Sequence, residues 1–311
     1  MSHLKLSMEI WPNMPWGRLE LCGPAWNSWG DIPLHELIYK IRDFGYEGFD
    51  VLYPKIQGIP AEEYAQEVQL VRKAMEETGL AFASIGCHTT FVSPREFDRR
   101  AGIDRFKRAI DAAADMGCKT VTTLLGDGFY DPPLYVLIPH RVAWRQAVEA
   151  TREVCEYGMT KGVDVCIELI QGTVVNTVDA LLKLFDEVDM PNLYSCVDVG
   201  TFYTTVKPKM PIPEAIRKIG KRIKSVHVKD EVGFPNIMQS QHVWYGAGFV
   251  IFEEMAAALK EAGFEDYCAV EWEGFQNGGL YGVGDPSGIQ FCDFDRVAEE
   301  AREFLLEHGW D

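Results

Sequence analysis

The stretch TKGVDVCIEL, residues 160–169, carries the pattern that is most informative about the fold. A glycine follows an amphipathic segment, and a run of β-branched and apolar residues comes directly after it. Glycine can take the left-handed conformation that ends a helix, so the stretch predicts a helix followed by a strand. The same pattern recurs at residues 43–51, 77–85, 115–124 and 261–271. This repetition is typical of parallel strands joined by helices.

The same alternation extends over the whole chain and predicts eight strands. These are Leu6–Ile10, Gly48–Leu52, Ala81–Cys87, Thr120–Gly126, Val163–Leu169, Leu193–Gly200, Ile223–Asp230 and Tyr267–Glu273. Helices are predicted near residues 34–44, 61–77, 95–116, 139–160, 175–187, 211–220, 252–262 and 293–307. The predicted class is α/β, a (β/α)₈ TIM barrel that forms one domain over residues 1–311. An open doubly wound sheet is the alternative, but no G-x-G-x-x-G follows a strand here.

Composition and charge exclude several classes of protein. The chain has 311 residues, and its 47 acidic and 30 basic residues give a net charge of −17, which disfavours nucleic acid as a partner. No apolar run reaches the ~18 residues of a membrane span, so no membrane partner is expected. The eight cysteines form no C-x-x-C pair, and Met1–Ile10 shows no secretory signal. A cytoplasmic location is therefore expected.

Four predicted strands end in side chains that commonly bind metals. They are Glu168, Asp198, His227 and Glu271. Because an ionised carboxylate inside a barrel is costly unless it is paired or bound to a cation, these residues predict one shared divalent ion. Three carboxylates and one imidazole favour Mn²⁺, with Mg²⁺ and Co²⁺ as alternatives. Glu273, two residues after Glu271, is a rival fourth ligand and otherwise a candidate substrate contact.

Further candidates lie close to these strand ends. Lys229 has the same parity as His227, so it is predicted either to contact a substrate oxygen and stabilise negative charge there, or only to cap a carboxylate such as Asp230 at the strand end. His140 is a candidate general base or an exposed residue at the start of a helix. His88 follows the third strand and is a candidate substrate contact. The aromatic residues Trp11, Trp26 and Trp244 are predicted either to stack on the substrate or to pin their loops to the barrel.

Several of these stretches together resemble the xylose isomerase-like barrels, a family of sugar isomerases, epimerases and dehydratases. The resemblance rests on GVDVCIEL at 162–169, VDVGTFY at 197–203, SVHVKD at 225–230, FGYEGFDV at 44–51 and residues 245–274. It implies that Glu168, Asp198, His227 and Glu271 bind one metal ion and that the two glutamates serve as acid and base. Thr201 stands where ketose 3-epimerases commonly have a histidine. Residues 245–248 read YGAG where the family commonly has P-G-x-G, after an insertion with Gln241, His242 and Trp244.

Residues and resemblance together predict a metal-dependent isomerase or epimerase that acts on a keto-sugar or related polyol ketone. The expected reaction removes a proton next to the carbonyl and passes through an enediolate. The alternative is a lyase of the same family, either an inosose dehydratase or the metal-bearing subunit of a C-glycoside deglycosidase with a small partner subunit. Abasic-site endonucleases share the barrel but need more histidines and a basic face. A non-catalytic binding barrel is a further alternative, and a homo-oligomer is expected.

Overall fold

The computed structural model describes residues 3–13, 25–125, 137–170, 173–200, 210–233, 240–272 and 290–311. The strands in these ranges are β1 (Lys5–Ile10), β2 (Ala25–Asn27), β3 (Gly48–Leu52), β4 (Ala81–Gly86), β5 (Thr120–Thr123), β6 (Asp164–Glu168), β7 (Leu193–Asp198), β8 (Ile223–Val228), β9 (Asp230–Gly233), β10 (Ser240–Val243), β11 (Tyr267–Val270) and β12 (Gln290–Cys292). The helices are α1 (Leu34–Asp43), α2 (Tyr53–Gln57), α3 (Ala61–Thr78), α4 (Glu96–Met116), α5 (His140–Lys161), α6 (Val178–Val188), α7 (Ile212–Ile219), α8 (Phe252–Ala262) and α9 (Phe294–Glu307).

Eight of the strands close into a parallel barrel. Their order around it is β1, β11, β8, β7, β6, β5, β4 and β3, and β1 pairs with both β11 and β3. Helices follow the barrel strands along the chain, as in a (β/α)₈ barrel. The predicted fold class is therefore confirmed.

The glycines that ended the predicted helices do so in the structure. Gly162 closes α5 with a φ of 68°, and Gly263 closes α8 with a φ of 71°. A residue with a Cβ is strained in this left-handed conformation. The repeated glycine thus makes a sharp helix end possible, from which the chain turns directly into the next strand.

Some strands stop earlier than the sequence predicts. The last barrel strand ends at Val270 rather than residue 273, because its neighbour β8 ends at Val228, directly opposite Val270. The predicted strand at residues 223–230 is interrupted at Lys229, after which the chain forms the hairpin of β9 and β10. A second addition is the short parallel pair of β2 and β12. None of the described helices is long and apolar enough to cross a membrane.

Candidate metal centre

The four residues predicted as metal ligands all lie at the carboxyl ends of barrel strands. Glu168 and Asp198 are the last residues of β6 and β7, His227 is the next-to-last of β8, and Glu271 directly follows β11. These four strands are neighbours in the barrel. Each of the four residues is at most 3% exposed to solvent. The barrel therefore collects four residues from distant parts of the sequence into one buried cluster.

The distances within the cluster suit a bound cation. His227 Nδ1 lies 3.3 Å from Glu271 Oε2 and 3.9 Å from Glu168 Oε1. Ligand atoms of Asp198, His227 and Glu271 lie within 4.8 Å of one another, and the same holds for Glu168, Cys196 and His227. Among the described residues, Glu168 Oε2 and His227 Nδ1 are buried without a hydrogen-bond partner. Oxygen and imidazole donors in this state fit a divalent metal ion.

Burial and crowding shift the protonation of the cluster when no metal is bound. Burial raises the pKa of Asp198 to about 7, even though Lys229 opposes this shift. Burial also opposes ionisation of Glu168, but the imidazoles of His227 and His88 hold its pKa below the ordinary value. Although burial disfavours the charged imidazole, Cys196 and the two glutamates hold the pKa of His227 well above its usual range. In the metal-free cluster, bound protons therefore offset the negative charge of the carboxylates, and a bound cation would displace these protons.

Lys229 also belongs to the cluster. Its Nζ atom lies 2.7 Å from Asp198 Oδ2 and 2.9 Å from Glu271 Oε2, and the residue is 3% exposed. The ammonium group thus contacts two of the predicted metal ligands directly. The aliphatic part of the Lys229 side chain needs a glycine at position 200, because a Cβ on Gly200 would lie 2.7 Å from Lys229 Cγ.

The predicted histidines fall in different places. His88 lies just beyond β4, with its Nε2 atom 3.6 Å from Glu168 Oε2, so the structure brings it to the cluster. His140 is the first residue of α5, where it is exposed and stacks on Trp144. Within the described ranges, no contact joins His140 to the cluster. The geometry therefore favours His88 over His140 as a residue that touches a substrate.

Two of the three aromatic candidates, Trp11 and Trp244, pack against other parts of the protein. Trp11 is buried, and its indole N–H donates a hydrogen bond of 2.8 Å to Glu9. Trp244 stacks on Trp272, with ring centroids 4.6 Å apart, and the Arg296 guanidinium lies 4.5 Å from its centroid. The structure describes the backbone of Trp26, which belongs to β2. Glu273 lies outside the described residues.

Some buried polar residues near these strand ends were not singled out from the sequence. Glu9 in β1 and Asp50 in β3 are opposite each other in register and only 2% exposed. Glu231 and His242 face each other in the hairpin of β9 and β10, with Nε2 and Oε1 3.4 Å apart. The four predicted ligands are acids or a histidine within or just after an apolar strand. Glu9 and Asp50 are acids in such positions, so the same rule would also have selected them. Nothing local in the sequence indicates the Glu231–His242 pair, which depends on the hairpin register.

The comparisons with known proteins agree with this fold. The model of the xylose isomerase-like TIM barrel matches residues 38–308. The chain belongs to this family.

The relatives of this chain include an epimerase and a dehydratase. The fructoselysine 3-epimerase of Escherichia coli O157:H7 is 24% identical over 250 residues, which is 77% of this chain and 86% of the relative. The inosose dehydratase of Geobacillus thermodenitrificans strain NG80-2 is 22% identical over 263 residues, which is 78% of this chain and 83% of the relative. Named relatives in this carbohydrate enzyme family thus include both epimerases and lyases.

A solved structure shows the same fold. The crystal structure of the IOLI protein with a bound zinc atom superposes with a TM-score of 0.69 at 17% identity. The match covers 92% of this chain and 97% of the other. At this identity the match shows the fold alone, which is the barrel that the strand order of this chain already establishes.

Proposed function

We propose that the protein is a divalent-metal-dependent sugar isomerase or epimerase that acts on a keto-sugar or related polyol ketone. The observation that carries the proposal is the convergence of three carboxylates, one imidazole and one ammonium group at the barrel mouth. With His227 neutral, three carboxylates and Lys229 leave two negative charges, which one divalent ion neutralises. Family membership and the epimerases among the relatives support this reading.

Four residues would hold the ion: Glu168, Asp198, His227 and Glu271. The ion would act as a Lewis acid and lower the energy of the enediolate that forms when a proton leaves the carbon next to the carbonyl. Mn²⁺ is the proposed ion, with Mg²⁺ and Co²⁺ as alternatives, since the donor set is rich in oxygen.

The side chains of the cluster supply the proton transfer. The carboxylates of Glu271 and Glu168 lie 3.3 Å and 3.9 Å from His227 Nδ1. One of them removes a proton and the other returns one to the opposite face or the neighbouring carbon. The Lys229 ammonium group stabilises negative charge on the substrate oxygen. His88, next to Glu168, donates a hydrogen bond to a substrate hydroxyl. Because the cluster is buried, water is excluded from the reacting carbons.

The test measures bound metal and proton exchange on the same preparation. Elemental analysis of the purified protein should find about one Mn, Mg or Co per chain. A panel of ketoses, inososes and 3-oxo-glycosides is then incubated in D₂O, and one member should incorporate deuterium next to its carbonyl. A metal-free protein that exchanges no proton after incubation with Mn²⁺ would contradict the proposal.

A lyase reaction is the second candidate, and one observation favours it. Elimination needs an acid to protonate the departing oxygen. The buried Glu231 lies two residues beyond Lys229 in the chain, and its Oε1 atom lies 3.4 Å from His242 Nε2. An inosose dehydratase is also among the relatives. The same panel separates the two reactions, because elimination yields an unsaturated ketone and a released alcohol or water, whereas epimerisation conserves composition. A C-glycoside deglycosidase would in addition require its partner subunit.

A further inference from the structure

Residues 230–233 and 240–250, which the structure describes, together form a strap beyond the end of β8. They pair with each other through β9 and β10, and they contact the ends of β8 and β11. Tyr245 in this strap is buried and packs against the rings of Phe252 and Phe304. Tyr245 is the first residue of the stretch YGAG, residues 245–248. The helix α8 begins shortly after this stretch, at Phe252.

The hydroxyl of Tyr245 connects the ends of β8 and β11. It donates a hydrogen bond to the Val228 carbonyl oxygen at 2.7 Å and lies 3.1 Å from the Glu271 carbonyl oxygen. The Glu271 N–H donates to the same Val228 oxygen at 3.0 Å. Residue 271 is thus tied to β8 through its N–H and through its carbonyl group. Since Val228 lies between His227 and Lys229, the contact fixes the backbone of three cluster residues at once.

Asp230 fastens the other end of the strap. Its carboxylate accepts hydrogen bonds from the backbone N–H groups of Glu231, Gly246, Gly248 and Val250, at 2.8 to 3.2 Å. Gly248 is required at this point, because a Cβ there would lie 2.1 Å from Asp230 Oδ1. The Phe249 N–H completes the closure with a 3.0 Å hydrogen bond to the Glu231 carbonyl oxygen. The position of the Tyr245 backbone is therefore fixed independently of the metal ligands.

We propose that Tyr245 is a positioning residue, whose hydroxyl holds the Glu271 peptide against β8 so that the Glu271 carboxylate stays aligned with His227 and Lys229. A small rotation of this peptide would move the carboxylate away from His227 Nδ1, which lies 3.3 Å from it. Loss of a group that orients a metal ligand typically weakens metal binding by about 10-fold to 100-fold. The metal-dependent part of this inference rests on the proposed function, whereas the backbone contact does not.

The experiment compares Tyr245→Phe with a matched control, Tyr46→Phe. Tyr46 is also buried and donates one 2.8 Å hydrogen bond to a backbone carbonyl oxygen, that of Ala298 in α9. Both substitutions delete one hydroxyl and keep the ring in place, so both proteins are expected to fold with similarly lowered melting temperatures. Only the first removes a contact to the strands that carry the cluster.

We call the contact of the Tyr245 hydroxyl with the ends of β8 and β11 the clamp. Two measurements test it. In metal-free protein, amide hydrogen exchange in a peptide covering residues 267–272 should be about fivefold faster in Tyr245→Phe than in Tyr46→Phe, which controls for the loss of global stability that both variants share. Equilibrium dialysis should show Mn²⁺ bound about tenfold more weakly by Tyr245→Phe, with the control within twofold of wild type. Equal exchange in the two variants would overturn the positioning role.

The two readouts also separate this inference from the proposed function. If wild-type protein binds no Mn²⁺ but the exchange difference is found, the clamp is correct and the metal-dependent function is wrong. If Mn²⁺ binds equally well to wild type and Tyr245→Phe, the clamp does not position Glu271 and the inference fails, while the proposed function stands.

Discussion

The two halves of the barrel treat buried acids differently. In the half formed by β6, β7, β8 and β11, three carboxylates face one another and contact His227 and Lys229. In the half formed by β1, β3, β4 and β5, the buried acids Glu9 and Asp50 each accept a hydrogen bond from a neutral side chain. Glu9 accepts a hydrogen bond from the Trp11 indole, and Asp50 accepts one from the Ser84 hydroxyl at 2.6 Å.

This difference separates a site that can carry out chemistry from buried polar residues that only support the fold. A hydroxyl or an indole can satisfy one acid without adding charge, and an acid so placed can also stay protonated. Burial raises the pKa of Asp50 to about 6, against the opposing effect of Ser84. Three carboxylates within reach of one another instead require positive charge, which protons, Lys229 or a metal ion can provide. We therefore expect function to be confined to the half formed by β6, β7, β8 and β11, which we call the charged half.

The largest effect is expected from Glu271→Gln. The substitution removes the negative charge and the basic oxygen that the proposed proton transfer needs, while the side-chain volume is kept. Turnover with the deuterium-exchanging substrate should fall about 10³-fold, and the circular dichroism spectrum should not change. The matched variant in the other half is Glu9→Gln, for which a loss below tenfold is expected. Equal losses in the two variants would show that the halves are not functionally distinct.

Removal of the imidazole in His227→Ala should weaken Mn²⁺ binding about 100-fold, because the metal loses one of its four proposed ligands. The measurement is equilibrium dialysis of metal-free protein against Mn²⁺. His35→Ala is the control, since its Nδ1 atom lies 2.7 Å from Glu67 Oε2 in a histidine–glutamate pair outside the cluster. An unchanged affinity in His227→Ala would rule out the four-ligand site.

Replacement of Lys229 by methionine should change activity and metal affinity in opposite directions. Without the ammonium group that contacts Asp198 and Glu271, Mn²⁺ should bind about tenfold more tightly, because a competing positive charge is gone. Turnover should fall about 100-fold, because the substrate oxygen loses its cationic partner. Lys40→Met, which breaks a surface ion pair with Asp295, serves as control for charge alone. A parallel fall in affinity and turnover would mean that Lys229 only supports the fold.

The last effect is on the stability of the protein and comes from Asp50, in the half of the barrel that does not hold the cluster. The pKa of Asp50 is raised from 3.8 in the unfolded chain to about 6, so the folded state holds the proton more tightly. Folding is therefore favoured below about pH 4, and this contribution is lost as the pH rises through 6. Asp50→Asn should remove this dependence and make the metal-free protein about 3 kcal/mol more stable at pH 8. Urea unfolding between pH 4 and pH 8 checks it, and parallel pH profiles would contradict it.

Much of the site could be predicted from the sequence because its signals are local. Glu168 and Glu271 each follow an apolar run that identifies a barrel strand, and a strand end in this fold points to the barrel mouth. His88 could be placed near the site for the same reason. The sequence could not give the actual contacts, such as the 3.6 Å approach of His88 to Glu168, because these depend on how neighbouring strands are staggered.

The weaker predictions have a common cause. The aromatic loop residues were equally compatible with substrate stacking and with packing, because a tryptophan gives the same sequence signal in both roles. The structure places Trp11 against Glu9, and it places Trp244 against Trp272 and Arg296. Their partners come from other segments of the chain and could not be read from the residues around them.

The sequence by itself determined the eight-fold alternation and the strand-end positions of Glu168, Asp198, His227 and Glu271, since helix ends, strand periods and misplaced charges are properties of a few adjacent residues. Only the tertiary structure decided that Lys229 bridges Asp198 and Glu271, and that Tyr245 ties β8 to β11. Closure of the barrel fixes the register of every strand against its neighbours. That register, which no single stretch of sequence contains, brings residues separated by many tens of positions to within hydrogen-bond distance.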